Sequence, residues 1–100
     1  MDLQALTSAM IAYDAGDPMR IHHFLKVHAY AAAIGACEGL PEDTLQTLEL
    51  AAIVHDIACP LCREKYGTTN GKYQELEGAP LTREFFAGTD VPAEQLERIV

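Results

Sequence analysis

The sequence predicts an all-α domain, and three observations support that prediction. Apolar residues recur at helical spacing, residues typical of helix starts and ends flank these segments, and no segment shows the alternating β-branched pattern of a strand. We therefore expect helices at about residues 3–13, 18–38, 40–59 and 72–86, and from Pro92 onward.

The predicted second helix has the clearest boundaries. Asp17 can cap its start, and Pro18 suits the first turn because the N–H that proline lacks has no helical partner there. Gly39 suits the turn that follows its end. Another helix is expected to precede it, from about Leu3 to Tyr13.

Acidic residues and prolines bound the later helices. Glu42 and Asp43 favour the start of the third helix, because carboxylates stabilise the positive end of a helix dipole. The helix is expected to stop before Pro60, with His55-Asp56 at its end. Gly78-Ala79-Pro80 is expected to interrupt or bend the fourth helix.

The composition limits the number of domains and the kind of partner. One hundred residues, of which 49% are hydrophobic, suffice for one core, so we expect a single domain over residues 1–100. Seven Lys and Arg against fifteen Asp and Glu give a net charge of −8, which would repel a nucleic-acid backbone. A small phosphorylated substrate is still compatible, because a bound divalent cation inverts the local field.

The sequence also predicts a cellular compartment. The N-terminus lacks the basic start and continuous apolar run of a signal peptide, and no later run approaches the roughly 20 apolar residues of a membrane span. Three cysteines fit a reducing compartment better than a disulfide framework. We therefore expect a cytoplasmic protein without a membrane partner.

The three histidines of the second predicted helix are not equivalent. On a helical wheel, His23 falls on the broad apolar side and is expected to point inward, in line with Val27, Tyr30 and Ile34. His22 falls on the narrow polar arc and is expected to face solvent. His28 is expected inward, on another part of the apolar face.

The same wheel on the third helix places His55 with Leu48, Ala51 and Ala52, and Asp56 at the flank of that buried side. A buried, ionised aspartate is costly unless a cation or several donors compensate it, which favours a metal. Two imidazoles and a carboxylate suit Mn, Fe, Co, Ni or Zn better than Mg. Taken singly, each residue also fits a simpler role, as a core histidine or as a capping or salt-bridging aspartate.

Two segments carry a family resemblance, MRIHHFLKVHAYAAAIGACEGL and LELAAIVHDIA. They resemble the HD superfamily of metal-dependent phosphohydrolases, in which a histidine precedes a helical valine and a later Ala-Ala-x-x-His-Asp segment supplies further ligands. His23 with Val27, and Ala51-Ala52 with His55-Asp56, match these positions. The resemblance covers residues 20–86 and implies an HD-domain-like helical bundle that holds the metal between its helices.

The resemblance implies a hydrolase that acts on a phosphoester of a nucleotide or small phosphorylated metabolite. His23, His55 and Asp56 would bind one divalent metal, which activates a water for attack on phosphorus. Asp56 would also orient that water as the catalytic carboxylate. Arg63 and Lys65 would contact the substrate phosphate, although two cations in a loop are more often only solvated.

The chain departs from the family pattern in three places. The aspartate that usually closes the site from a later helix has no match, because Asp90 lies in a predicted loop. Ala58 stands where the family commonly has glycine. Gln74 stands where members with two metals have a histidine, so one metal is expected. Glu75 and Glu77 could approach the site but are expected to be solvated.

The last segment, VPAEQLERIV, begins as a helix and stops without a capping residue. We therefore expect a truncated helical domain that lacks its C-terminal helices. Its exposed apolar end would favour a homo-oligomer, through Leu96, Ile99 and Val100.

Cys59 and Cys62 have the spacing of a redox or zinc motif, but they lack both a second cysteine pair and a β-α context. The simpler interpretation is two partly buried thiols in a turn that ends a helix. Three functions stay open: a metal-dependent phosphohydrolase, a non-catalytic helical module that binds a metal, ligand or partner, and a cysteine-based redox protein.

Overall fold

The computed structural model describes residues 2–100 and contains, within that range, six α-helices and no strand. The helices are α1 (Leu3–Tyr13), α2 (Pro18–Cys37), α3 (Glu42–Val54), α4 (Cys59–Tyr66), α5 (Gly71–Phe86) and α6 (Ala93–Ile99). The all-α prediction is confirmed. The chain divides into two compact units, one extending to Val54 and the other running from His55 to Arg98. This division does not test the expected single domain, which stays a prediction.

Capping residues account for the helix starts that the sequence predicted well. The Asp2 carboxylate accepts the Gln4 N–H at 3.2 Å at the start of α1. The Asp17 carboxylate accepts the Arg20 N–H at 3.1 Å at the start of α2. Each bond satisfies an N–H that has no partner inside the helix. The side chain of Asn70 does the same for α5.

The predicted end of the third helix is wrong. Helix α3 ends at Val54, residues 55–58 form a turn, and Pro60 lies in the first turn of α4. Proline is tolerated there because the N–H it lacks would have no intrahelical partner. His55-Asp56 therefore lies in a turn between two helices and not within a helix.

The fourth helix was predicted to be interrupted or bent at Gly78-Ala79-Pro80. It is not interrupted, because α5 is one helix from Gly71 to Phe86 with Pro80 inside it. The bend stays a prediction. Pro80 has no N–H to donate to the backbone hydrogen bonds of the helix. The Thr82 hydroxyl donates to the Gly78 carbonyl oxygen at 2.7 Å, which adds a side-chain bond within the same stretch.

In the first unit, α2 packs against α3, and α1 contacts both. Its most buried large side chains come from all three helices: Leu6, Met10, Phe24, Leu50 and Ile53. Gly35 lies where α2 approaches the side chains of the following segment. A Cβ at this position would lie 2.6 Å from Leu45 Cδ1 and 3.2 Å from Leu48 Cδ2. The absent side chain therefore permits the close packing of α2 on α3.

The second unit contains the pair α4 and α5. Gly67 adopts a left-handed φ of 71° at the end of α4, a conformation that costs glycine little. Tyr66 on α4 stacks on Tyr73 of α5 with ring centroids 4.0 Å apart. Arg83 of α5 forms a bidentate ion pair with Glu97 of α6.

The stretch Glu42–Tyr66, which includes α3 and α4, is long and apolar enough to cross a membrane by length and composition. Half of its most apolar window is buried inside the protein, and the core helices of soluble proteins meet the same criteria. The cytoplasmic location and the absence of a membrane partner stay predictions.

The substitution Gly35→Val tests the close approach of α2 and α3. Its side chain would overlap Leu45 and Leu48, so we expect a loss of about 1–3 kcal/mol in the free energy of unfolding. Urea unfolding followed by circular dichroism measures this loss. Gly71→Val is the matched control, because a Cβ at this other helical glycine would meet no atom within 4 Å. Equal stabilities of the two variants would contradict the proposed packing role.

Candidate metal centre

His23, His55 and Asp56 form a group that could hold a metal ion. Each side chain offers one ligand atom, and the three atoms all lie within 4.8 Å of one another. Within residues 2–100, no other group of three or more His, Cys, Asp or Glu side chains meets this condition. The three ligand residues that the sequence predicted are thus brought together.

The pairing of α2 with α3 explains why these residues are neighbours. A short loop joins the two packed helices, and His28 Nε2 on α2 lies 2.9 Å from Glu49 Oε1 on α3. In an antiparallel pair, moving five residues back along α2 from His28 to His23 corresponds to moving about five forward along α3 from Glu49. That step reaches Val54, the last residue of α3, and the peptide bond from Val54 fixes the position of His55.

The predicted inward orientation of His23 is wrong, because its side chain is exposed. Two of the residues in line with it are also exposed, Tyr30 at 63% and Ile34 at 62%, and the third, Val27, is half-buried, whereas Phe24 and Gly35 are buried. The apolar arc of α2 is wider than the surface that packs against its neighbours, so only one side of the arc is buried. His22 is exposed, as predicted, and His28 is half-buried.

His55 is more exposed than the sequence predicted, with 33% of its side chain accessible, while the Asp56 side chain is 20% accessible. The reason is the early end of α3, which takes both residues off the helical wheel used to orient them. His55 Nε2 lies 3.2 Å from Asp56 Oδ2, within ion-pair distance. The carboxylate thus provides local negative charge beside the imidazole.

Two imidazoles and a carboxylate are a suitable donor set for a transition metal. Metal–ligand bonds of about 2.0–2.2 Å place neighbouring ligand atoms roughly 3–3.5 Å apart in a tetrahedral site. The His55–Asp56 separation of 3.2 Å already meets this requirement. The other ligand separations, all within 4.8 Å, require a contraction of at most about 1.5 Å, which rotation of exposed side chains permits.

The turn after Asp56 tolerates alanine in place of the glycine of the HD pattern. Ala58 has φ −82° and ψ −9°, an ordinary right-handed conformation. The Asp56 carbonyl oxygen accepts the Cys59 N–H at 3.0 Å, and the Ala58 carbonyl oxygen accepts the Cys62 N–H at 2.8 Å. The exit from α3 therefore needs no left-handed residue at position 58.

The two predicted phosphate-binding residues lie in the last turn of α4 and not in a loop. Arg63 is exposed. The Lys65 ammonium donates to Glu77 Oε1 at 2.9 Å, and the Tyr66 hydroxyl donates to the same oxygen at 2.7 Å. A substrate phosphate would have to compete with Glu77 for Lys65, whereas the Arg63 guanidinium makes no hydrogen bond or ion pair with the described residues 2–100.

The expectation that Glu77 is only solvated is wrong, because its carboxylate holds two donors. The bond from Lys65 and then the bond from Tyr66 hold the pKa of the Glu77 carboxyl below its ordinary value. The same contact with Glu77 raises the pKa of Lys65 and of Tyr66. The cluster therefore stabilises the charged states of Lys65 and Glu77.

Three further residues bear on whether the site could have additional metal ligands. Gln74, at the second-metal histidine position of the family pattern, donates its side-chain amide to the Thr69 carbonyl oxygen. Glu75 is exposed, as expected. Asp90 is exposed in the connection between α5 and α6 and is outside the three-residue metal group. The prediction of one metal is untested and stays a prediction.

Cys59 and Cys62 lie in α4 and form no disulfide within residues 2–100, and their exposures are 2% and 0%. They lie in the first turns of a helix, so their expected position in a helix-ending turn is wrong. Cys37 at the end of α2 is exposed. A redox reaction of the CPLC pair would therefore first require α4 to open.

Two interactions were not predicted from the sequence: the His28–Glu49 bridge and the Lys65–Tyr66–Glu77 cluster. The bridge could have been found by pairing the predicted helices as an antiparallel hairpin, which places His28 opposite the middle of α3. The Lys65–Tyr66–Glu77 cluster could not have been found in this way. Which residues meet Glu77 depends on where α4 begins, and the start of α4 was not predicted.

Comparison of the chain with protein-family models, with curated proteins and with solved structures found no match. The resemblance to the HD superfamily therefore depends on the motif positions in the sequence and stays a prediction.

The substitution Lys65→Met tests the cause of the low Glu77 pKa. Removal of the ammonium should raise the titration midpoint of the Glu77 carboxyl, measured by NMR of its side-chain carbon. Because the folded-state pKa is depressed, the stabilisation from this carboxylate is present above its ordinary value of 4.5 and is lost as pH falls through the folded pKa. Arg63→Met is the control and should leave the midpoint unchanged.

Thiol labelling tests the burial of the CPLC pair. Ellman's reagent should modify one cysteine per native chain, Cys37, and all three after urea is added. The variant Cys37→Ser should show no rapid labelling before unfolding. Fast labelling of Cys59 or Cys62 in the native protein, with a reversible disulfide between them, would instead support the redox alternative.

Proposed function

We propose that this chain is a metal-dependent phosphohydrolase of the HD type, acting on a phosphoester of a nucleotide or small phosphorylated metabolite. The observation that supports it most is the convergence of His23, His55 and Asp56 on one group with ligand atoms within 4.8 Å. His23 is distant in sequence from the adjacent pair His55-Asp56, and each of the three matches a ligand position of the HD pattern.

A divalent ion held by these three residues would supply Lewis acidity and lower the pKa of a water. Among the described residues the group has three side-chain donors, which leaves coordination positions for water and a substrate oxygen. Two histidines and one carboxylate favour Mn, Fe, Co, Ni or Zn over Mg, which prefers oxygen ligands.

Asp56 has a second role in this proposal. Its carboxylate has two oxygens, so one can bind the metal while the other accepts a hydrogen bond from the attacking water. The neighbouring His55 limits where the carboxylate can rotate, because the two side chains are in contact at 3.2 Å.

Arg63 is the better candidate for contact with the substrate phosphate, because its planar fork can bind two phosphate oxygens and no carboxylate within residues 2–100 is paired with it. Lys65 would first have to leave Glu77. We therefore expect Arg63→Ala to raise KM more than Lys65→Ala does.

Metal titration of the full chain, stripped with a chelator, tests the proposed site. Isothermal titration calorimetry should detect binding of Mn²⁺, Co²⁺ or Zn²⁺, and His55→Ala and His23→Ala should each weaken it at least about tenfold through loss of a ligand. His22→Ala is the matched control, since His22 is an exposed neighbour on the same helix and lies outside the group.

Phosphate release from nucleotides and from p-nitrophenyl phosphate then tests turnover. Metal-dependent release that is lost in Asp56→Asn and kept in His22→Ala is the expected result. Metal binding without release from any substrate would favour the non-catalytic module. Equal metal affinity of wild type and His55→Ala would refute the metal site itself.

A further inference from the structure

The His28–Glu49 bridge joins α2 to α3 near the middle of both helices. His28 Nε2 lies 2.9 Å from Glu49 Oε1, and the two side chains are 22% and 15% accessible. An ionised glutamate can only accept hydrogen bonds, so the imidazole N–H is the donor. Because this bond requires one particular donor opposite one particular acceptor, it specifies which residue of α2 lies beside Glu49.

The packing around the bridge determines the axial position of α2 less sharply. Among residues 29–37, those that are not exposed are Ala31, Ala32 and Gly35, which all have small side chains or none. Small residues form shallow ridges, so a helix can slide along this side with little change in packing. Phe24 is a large buried side chain of α2, but apolar burial is non-directional. The short connection of residues 38–41 and the close contact therefore bring α2 and α3 into approximate register, and the bridge fixes that register.

The candidate metal group lies about five residues beyond the bridge. His23 precedes His28 by five residues and Val54 follows Glu49 by five, which corresponds to about 7.5 Å along each helix. A slip of one residue would move His23 by about 1.5 Å along α2 and turn it by about 100° around the axis. The ligand atoms, now within 4.8 Å of one another, must approach each other to bind an ion, so such a slip would take His23 out of the group.

We propose that His28 and Glu49 are positioning residues of the candidate metal centre, whose bond holds α2 at the register that keeps His23 beside His55 and Asp56. The inference rests on the proposed metal site, and it names two residues outside that site on which metal affinity depends. Neither residue belongs to the three-residue group. Loss of their bond should therefore weaken metal binding although all three ligands are still present.

Calorimetric titration of the full, chelator-stripped chain with Co²⁺ tests this role. His28→Leu and Glu49→Leu should each weaken Co²⁺ binding by about tenfold or more, as the loss of a residue that orients a ligand does. Glu49→Gln should bind Co²⁺ nearly as tightly as wild type, because its amide oxygen can still accept from His28 Nε2. Lys26→Gln is the matched control and should leave the affinity unchanged, since Lys26 is exposed and is nearer in sequence to His23 than His28 is.

A variant with the two partners exchanged separates positioning from simple charge attraction. The double variant His28→Glu with Glu49→His can form the same bond in the reverse direction, and it should recover most of the affinity that each leucine variant loses. The visible absorption spectrum of bound Co²⁺ reports the arrangement of the ligands, so it should match wild type in the double variant and change in the leucine variants. A loss confined to Glu49→Leu would overturn the positioning role, because the carboxylate charge alone would then explain it.

Urea unfolding of the metal-free chain, followed by circular dichroism, tests the bond itself. The variants should all stay folded, and a double-mutant cycle of His28→Leu and Glu49→Leu should show that the two losses of stability are not additive. Additive losses would overturn the proposal, because the two side chains would then not act as a pair.

The outcome for His55→Ala distinguishes failure of this inference from failure of the metal site. If His55→Ala binds Co²⁺ weakly while both leucine variants bind it as tightly as wild type, the positioning role is refuted and the metal site is supported. If His55→Ala binds Co²⁺ as tightly as wild type, the metal site is refuted, and the positioning role is refuted with it.

Discussion

The close packing of α2 on α3 is the constraint on which the candidate site depends. Gly35 permits it, because any side chain at that position would meet Leu45 and Leu48. Once the two helices are in contact, their antiparallel register follows, as the His28–Glu49 bridge shows. The register in turn places the second turn of α2 beside the end of α3.

His55 and Asp56 follow the end of α3, and their position in a turn determines how close their ligand atoms lie. Because α3 stops at Val54, the side chains of His55 and Asp56 no longer follow the helical period of the core. Adjacent residues in a helix diverge by about 100°, so they rarely present ligand atoms to one ion. In the turn, His55 Nε2 and Asp56 Oδ2 lie 3.2 Å apart. The early end of α3 would thus allow the His-Asp dipeptide to offer two ligands to one ion.

The sequence predicted the starts of α1, α2 and α5 well because caps are local. Asp2, Asp17 and Asn70 each bond an N–H within three residues, so their effect does not depend on tertiary contacts. The end of α3 could not be predicted in this way. Pro60 is compatible both with a helix that stops before it and with a helix that starts around it, and the sequence does not distinguish the two.

The identity of the candidate ligands could be predicted, but their exposure could not. Motif spacing selected His23, and the hairpin geometry places it near His55. A helical wheel, however, reports only which residues share a side, and half of the apolar arc of α2 is largely exposed. His23, Tyr30 and Ile34 belong to that half. Whether an apolar arc is buried depends on the width of the surface packed against it, which a single helix does not encode.

The solvent exposure of His23, His55 and Asp56 affects how these side chains would bind a metal. A fully buried carboxylate beside two imidazoles would favour tight, closed coordination, because desolvated charge needs a permanent counter-charge. With Asp56 20% accessible and His55 33% accessible, water already reaches the ligands. A metal bound there would exchange with solvent and keep positions open, which suits a catalytic site better than a structural one. The same exposure lowers the electrostatic gain from each ligand, so affinity would depend strongly on keeping all three. The loss of either histidine should therefore affect metal binding far more than it affects folding.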